Sequence, residues 1–490
     1  MKKLTLIPIG IFMAFSIFSF FTSCKPAKKA EPTVTVVTPN IPDWHKNATI
    51  YEVNLRHFTD EGTFASFGDH LPRLKEMGID ILWLMPIHPI SVKNRKGELG
   101  SPYAVADYYD VNPDYGSIED FKELLAKIHD LGMYCIIDWV PNHTGWDNPW
   151  ITEHPDWYTQ DKDGNIIDPI DYNTGKSWGW TDVADLNYDN KEMRKGMIDA
   201  MAFWISDIGI DGFRVDVAHG VPVDFWAECA DALYAIKPLF MLAEAEVPAI
   251  VNNGAYVMDY GWEMHHLLNE IATSQGATEG SGQKLVKGNL VEGEDAEAEK
   301  KNALDIDAML AKKAEQYERG YQMQFTSNHD ENSWSGTEFA RMGAGHKAFA
   351  VLTATFDGMP LIYTGQESAM DKQLEFFKKD DIPWGDYSYA GFYKTLFDLK
   401  HENQAIWNGE HGGPLVKIPT GVDEDVYAFT RQKGENQVVV LINLSNNDHA
   451  FSLSGDIAGT YQEIFLQEET ALAEGTDISL GPWEYLVYAR

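Results

Sequence analysis

Positive charge is scarce in this chain. Against 75 Asp and Glu, the 490 residues hold only 39 Lys and Arg, a formal net charge of −36 with the histidines neutral. That balance disfavours nucleic acid and anionic membrane surfaces as partners and suits a neutral or cationic ligand. Cysteine is scarcer still, three residues in all, which excludes a disulfide scaffold. Cys135 and Cys229, in apolar runs, read as small buried hydrophobes or, in an exported protein, as one bridge. No long low-complexity tract is present, and 44% hydrophobic and 12% aromatic residues place the chain among globular proteins. Its length exceeds one ordinary core and suits a barrel of about 250 residues or more with appended domains.

The one long apolar run, Leu4 to Phe21, follows Lys2 and Lys3 and ends in "FTSC". A cleaved export signal or a transmembrane helix explains such a run. The cysteine after two small residues resembles the lipobox of bacterial lipoproteins, although Phe21 stands where leucine is usual. The resemblance implies a signal peptide over 1–23, acylation of Cys24, and a tether over 24–40. It also implies a membrane lipoprotein held on the periplasmic or cell-surface side.

From about residue 48, β-branched and aromatic runs alternate with helical stretches. In "SIEDFKELLAKIHDLG", Ile118, Phe121, Leu124, Leu125, Ile128 and Leu131 recur at three- and four-residue steps, and Gly132 ends the pattern. Strand then helix, repeated, means parallel βαβ units. Strands are expected at 50–58, 80–87, 133–140, 210–218, 238–246, 255–262, 321–328 and 360–366, and eight such repeats predict an α/β fold, a (β/α)8 barrel. Two connections exceed ordinary loops. One, 144–187, is rich in Trp, Asp, Gly and Pro and reads as a small inserted domain. The other, between the sixth and seventh strands, has few apolar residues and reads as a solvated surface insertion. Short alternating strands after the last helix predict a C-terminal antiparallel β-sandwich. The expected layout is therefore barrel over 41–143 and 188–404, insertion over 144–187, and sandwich over 405–490.

In such a barrel, functional residues stand at the C-terminal ends of strands. There the third strand offers Asp138, Asn142 and His143, the fourth Arg214, Asp216 and His219, the fifth Glu244 and Glu246, and the seventh His329 and Asp330. Arg214 and Asp216, two positions apart, share one face of their strand. A solvated ion pair is the plain reading for one strand alone, but four strands aiming acids and histidines at one rim is costly unless the site is used. Arg214 is expected to depress the Asp216 pKa, and Glu244, feeling Asp216 and partial burial, to be raised. One ionised and one protonated carboxyl are the apparatus of a retaining glycosidase. No His-Glu-x-x-His or His-x-His pattern supports a metal-dependent hydrolase.

The segments "DWVPNH", "GFRVDVAHG", "LAEAE" and "FTSNHDEN", in this order, resemble the four signature regions of the α-amylase family of glycoside hydrolases. The resemblance implies Asp216 as nucleophile, Glu244 as acid/base and Asp330 as transition-state stabiliser. It further implies His143, His329 and Arg214 as substrate-site residues, Asp138 as an aspartate holding the site together, and Tyr103, in "SPYAVADYY", as the aromatic platform under the sugar. Asn142 and Asp185 are similar to ligands of a calcium ion in many members, while "VADLN" is also near variants of members without it. Where the family usually carries Lys-His, this chain has Ala218, His219 and Gly220, so that lysine is absent or replaced by His219. The implied activity is retaining hydrolysis of α-1,4-glucosidic bonds in starch-like glucans or maltooligosaccharides, first of all as an endo-acting α-amylase. An α-glucosidase, cyclodextrinase or neopullulanase, a 4-α-glucanotransferase, and a glycan-binding protein without catalysis are the alternatives.

Overall fold

The structure, a computed structural model, describes residues 35–171, 174–278, 283–286, 289–292 and 300–490. Cys24 and its lipobox lie outside the described residues. Residues Thr35–Arg490 form one compact unit, and no helix among the described residues is long and apolar enough to cross a membrane.

Eight strands close a parallel barrel: β1 (Ile50–Val53), β2 (Ile81–Leu84), β3 (Tyr134–Trp139), β4 (Gly212–Val215), β5 (Phe240–Ala243), β6 (Met258–Tyr260), β7 (Tyr321–Gln324) and β8 (Met359–Tyr363). Neighbours follow chain order, and β1 pairs with β8 through Ile50 opposite Leu361. The two-residue period sorts the side chains. On β4, Phe213 and Val215 join the core under the helices, while Arg214 and Asp216 share the interior face. Deeper inside, Ile50, Trp83, Ile136, Met258 and Met323 belong to one buried cluster. Gly212 opens β4 because a Cβ there would lie 1.8 Å from the Phe240 carbonyl oxygen.

The helix Ile118–Asp130 forms as its periodicity predicts. Ser117 and Asp120 cap it reciprocally, and Phe121, Leu124, Leu125 and Ile128 are buried. The first strand is shorter than expected. After Val53 the chain turns into the helical segment Leu55–Phe58, because the Asn54 N–H donates to Thr364 Oγ1 at 2.9 Å and its amide to Tyr363 Oη at 2.9 Å, pinning the corner against β8. The insertion after β6, read as a solvated surface insertion, includes an antiparallel pair of Gln283–Val286 with Asn289–Glu292.

After β3, His143–Gly145 pairs with Val183–Asp185, and a second short pair joins Ile170–Asp171 to Lys176–Ser177. At the C-terminus a six-stranded antiparallel sheet packs with a two-stranded one, His449–Ser452 with Asp477–Leu480. Val439, Leu441, Phe451 and Ile478 lie in the core they share. Cys135 and Cys229 are buried and free.

Candidate active site

One arginine organises the C-terminal mouth of the barrel. Arg214 is fully buried. Its Nη1 lies 2.8 Å from Asp138 Oδ1 and 3.0 Å from Asp216 Oδ1, and its Nη2 lies 2.8 Å from Glu244 Oε1. Its Nε donates to Tyr260 Oη at 3.1 Å, and its guanidinium lies 4.9 Å from the centre of the Trp83 ring. Register explains part of this, since Asp138 on β3 stands opposite Arg214 on β4. The contact to Glu244 is a charge contact rather than an aligned hydrogen bond.

Glu244 has a second partner. Val217, directly after Asp216, adopts a left-handed backbone (φ 43°), strained for a β-branched residue. This turn aims its N–H at Glu244 Oε2, 2.7 Å away. The expected order of acidities is therefore not met in the ligand-free protein. Burial and the charge of Glu244 push Asp216 well above the usual carboxylate range. Burial would raise Glu244 too, but Arg214 and the Val217 N–H outweigh it and hold Glu244 below its ordinary value. The expectation treated Arg214 as a private partner of Asp216, whereas it touches three acids.

Tyr103 forms the next layer. Its hydroxyl lies 3.1 Å from Asp138 Oδ2 and 2.8 Å from His329 Nε2, and its ring stacks on His329 at 5.4 Å. The other imidazole nitrogen of His329 meets Glu52 of β1. Burial disfavours the His329 cation, but Asp330 and Glu52 outweigh it and raise its pKa to about 9. At His143 burial outweighs the charge of Asp182 and pushes the pKa down to about 4. Asp138, despite Arg214, is raised by burial to about 6. Because His329 is raised, its stabilising charge is fully present below the unfolded value of about 6.5 and is lost as pH rises through about 9. Replacing Glu52 by Gln is therefore expected to move the alkaline limb of the kcat/KM profile to lower pH. A limb that stays in place in the pH–rate profile contradicts this role.

These groups open into a pocket of about 300 Å³ lined by Tyr103, His143, Asp216, Glu244, His329 and Asp330, with Trp180, Trp334, Phe376 and Phe377 in its walls. A larger cavity, about 800 Å³, opens around His45, Tyr256 and Tyr321, and none of the strand-end acids lines it. His219 stays exposed on the rim, 6.4 Å from Trp178, and acts on Glu244 only through its charge. Glu246 turns away to Lys313 and the Glu263 N–H. Asn142 and Asp185 are both buried where the inserted segment leaves and rejoins the barrel. The Leu186 N–H donates to the Asn142 carbonyl at 3.1 Å, and Asp185 pairs with His143. They offer two oxygen-bearing side chains toward the six to eight ligands calcium takes. No cluster of three or more His, Cys, Asp or Glu among the described residues is placed to hold a metal. Of the inserted tryptophans, Trp146, Trp150 and Trp157 pack against the core, while Trp178 and Trp180 pack together, 4.7 Å apart, with Trp180 in the pocket wall.

Glu52, Trp83, Tyr260, Trp334, Phe376 and Phe377 were not expected at this site. For Glu52 a signal existed, an acid between Tyr51 and Val53 in an apolar strand. The aromatic walls had none, because their loops meet only in the folded protein.

A closed parallel (β/α)8 barrel whose strand-end acids share one buried floor defines a barrel enzyme by class. The chain belongs to the alpha-amylase family: the family's catalytic domain matches residues 40–387. It is similar to alpha-amylase MalA of Haloarcula japonica, 27% identical over 443 residues, spanning 86% of this chain and 58% of that protein. Alpha-amylase 3 of Dictyoglomus thermophilum is 25% identical over 508 residues, 91% of this chain and 93% of the relative. Among solved structures, the noncanonic maltogenic alpha-amylase AmyB of Thermotoga neapolitana aligns with TM-score 0.77 and 26% identity, over 90% of this chain and 98% of its own.

Proposed function

We propose that the protein hydrolyses α-1,4-glucosidic bonds of maltooligosaccharides and starch-like glucans with retention of configuration. The observation that carries the reading is the single guanidinium of Arg214 touching both Asp216 and Glu244 at the floor of a sugar-sized pocket. One cation bridging the two suits the short carboxyl separation, about 5–5.5 Å, of retaining enzymes, rather than the wider gap that admits a water. Burial and Glu244 raise Asp216, while Arg214 and the Val217 N–H lower Glu244. A glycosidic oxygen at Glu244 must therefore reverse that order, placing the proton on Glu244 and leaving Asp216 ionised for attack on the anomeric carbon. The C–O bond to the leaving sugar breaks as Glu244 protonates it, and a glycosyl ester forms on Asp216. Glu244 then takes a proton from water as its oxygen bonds to the anomeric carbon, and the ester bond to Asp216 breaks, releasing the sugar and restoring both carboxyls. Asp330 and the His329 cation would grip hydroxyls of the same ring, over Tyr103.

Retaining chemistry also admits a sugar as acceptor. Product analysis from maltotriose separates the two: glucose and maltose support hydrolysis, longer chains make the protein a 4-α-glucanotransferase, and no turnover of any α-glucan sinks the reading.

Asn142 and Asp185 would hold a calcium ion together with backbone carbonyls and waters, bracing the inserted segment without entering the chemistry. Dialysis against chelator is then expected to lower the melting temperature, and an unchanged temperature and activity discards the ion. Acylation of Cys24 would anchor the body to a membrane outside the cytoplasm. Cys24→Ser protein recovered in the membrane fraction would contradict that.

A further inference from the structure

Residues 91–100, in the connection after β2, touch both walls of the pocket. On one side the strap is tied to the inserted segment. The Val92 and Lys93 N–H groups donate to Asp147 Oδ2 at 2.6 and 2.8 Å, and Lys96 Nζ lies 2.8 Å from Asp182 Oδ1. On the other it grips the loop after β8. The Leu99 N–H donates to the Phe377 carbonyl at 2.9 Å, and Gly97 is so close that a Cβ would lie 2.4 Å from Phe377 Cβ. Arg95 braces it internally, donating to the Ser91 and Ile90 carbonyls at 3.0 and 3.2 Å.

The contacts say which end of the pocket is crossed. An aromatic series leads from the floor to the strap: Tyr103 lies parallel to Phe376 at 6.3 Å, Phe376 packs on Phe377 at 5.0 Å, and Phe377 meets Gly97. Trp334 leans on Phe376 at 5.3 Å. Glu244 takes its hydrogen bond from the Val217 N–H, on the turn that leads to His219 and, beside it, Trp178. A leaving sugar must depart past the acid that protonates it, toward Val217 and His219. The glycone therefore lies on the strapped side. The pocket volume of about 300 Å³ is also at the small end of the range for ligand sites, about 300–1,000 Å³.

We propose that the strap closes the glycone end of the cleft, so that the protein releases glucose or maltose from the non-reducing ends of short maltooligosaccharides instead of cutting within a polymer. This rests on the α-glucan reading above and replaces the endo-acting expectation. The ion pair of Lys96 with Asp182 and the Gly97–Phe377 contact are its specificity-determining features.

The test compares maltoheptaose with maltoheptaose whose non-reducing glucose is blocked as a 4,6-ethylidene acetal, using the full chain. The free sugar is expected to be cut, with glucose or maltose as first product. The blocked one is expected to react at least about 100-fold more slowly, the scale of exclusion from a closed pocket. Gly97→Val, which drives Phe377 off the strap, and Lys96→Ala, which frees it from Asp182, are expected to raise the blocked-to-free rate ratio at least about tenfold. Equal rates on both substrates, or an unchanged ratio in both folded variants, overturn the strap proposal and leave α-glucan hydrolysis standing. Turnover of neither substrate fails the underlying reading itself.

Discussion

Asp216→Asn is expected to lose about 10⁴-fold or more in kcat/KM on maltooligosaccharides, the scale seen when a covalent nucleophile is removed. Its melting temperature should stay level or rise. Asp216 is only 6% exposed and sits among Asp138, Glu244 and Asp330, sharing Arg214 with two of them while His329 stands beside Asp330, so its charge costs the fold more than an amide would. An activity loss without a stability loss is what separates a reacting group from a structural one. Asp216→Gly with added azide sharpens the point. Small anions enter the space left by the carboxylate, attack from the same face, and give a β-glucosyl azide by single displacement. If activity in Asp216→Asn falls less than tenfold, the covalent step does not run through this residue. A binding protein without catalysis would show no change at all.

The second large effect concerns Arg214. Its replacement by Met keeps apolar contact with Trp83 but leaves Asp138, Asp216 and Glu244 without their common cation. Breaking a buried charge cluster from one side costs about 3–5 kcal/mol, because the surviving charges stay desolvated. The pH dependence has a definite sign. Without the cation Asp138 and Asp216, already raised, rise further, and Glu244 loses the charge that holds it down. The folded state then binds more protons than the unfolded chain, and stability falls as pH rises. Denaturation of Arg214→Met at pH 5 and pH 8 should therefore show the larger deficit at pH 8. An equal deficit at both values would mean that the arginine is not what keeps the acids in place. Activity should vanish alongside, since the shared cation sets the spacing of Asp216 and Glu244.

Much of this floor was legible in the residues. Arg214 and Asp216 stand two positions apart in a strand, so their common face follows from the pleat alone. Asp138, Glu244, His329 and Asp330 follow from the rule that a barrel presents its chemistry at the C-terminal ends of strands. What could not be read depends on contacts across elements. That Arg214 also touches Glu244, and that Val217 bends left-handed to donate to the same carboxyl, reverses the expected acidities, and neither follows from spacing. The extended "IYEVNLRHF" failed at Asn54 because Thr364 and Tyr363, three hundred residues away, turn the chain there. That the turn after Val217 sets His219 on the exposed rim, beside Trp178, likewise depends on the fold and not on spacing. The strap was least accessible of all, since its effect comes from joining loops after β2 and β8 with the inserted segment.

The most direct test of the central claim is to trap the intermediate. A 5-fluoro-α-glucosyl fluoride forms the glycosyl ester and slows its hydrolysis, and acid quenching followed by peptic digestion locates the adduct by mass spectrometry. The predicted result is a fluoroglycosyl mass on the peptide bearing Asp216, absent from Asp216→Asn protein. An adduct on Glu244 or Asp330, or turnover of the reagent with no adduct on any carboxylate, would contradict it.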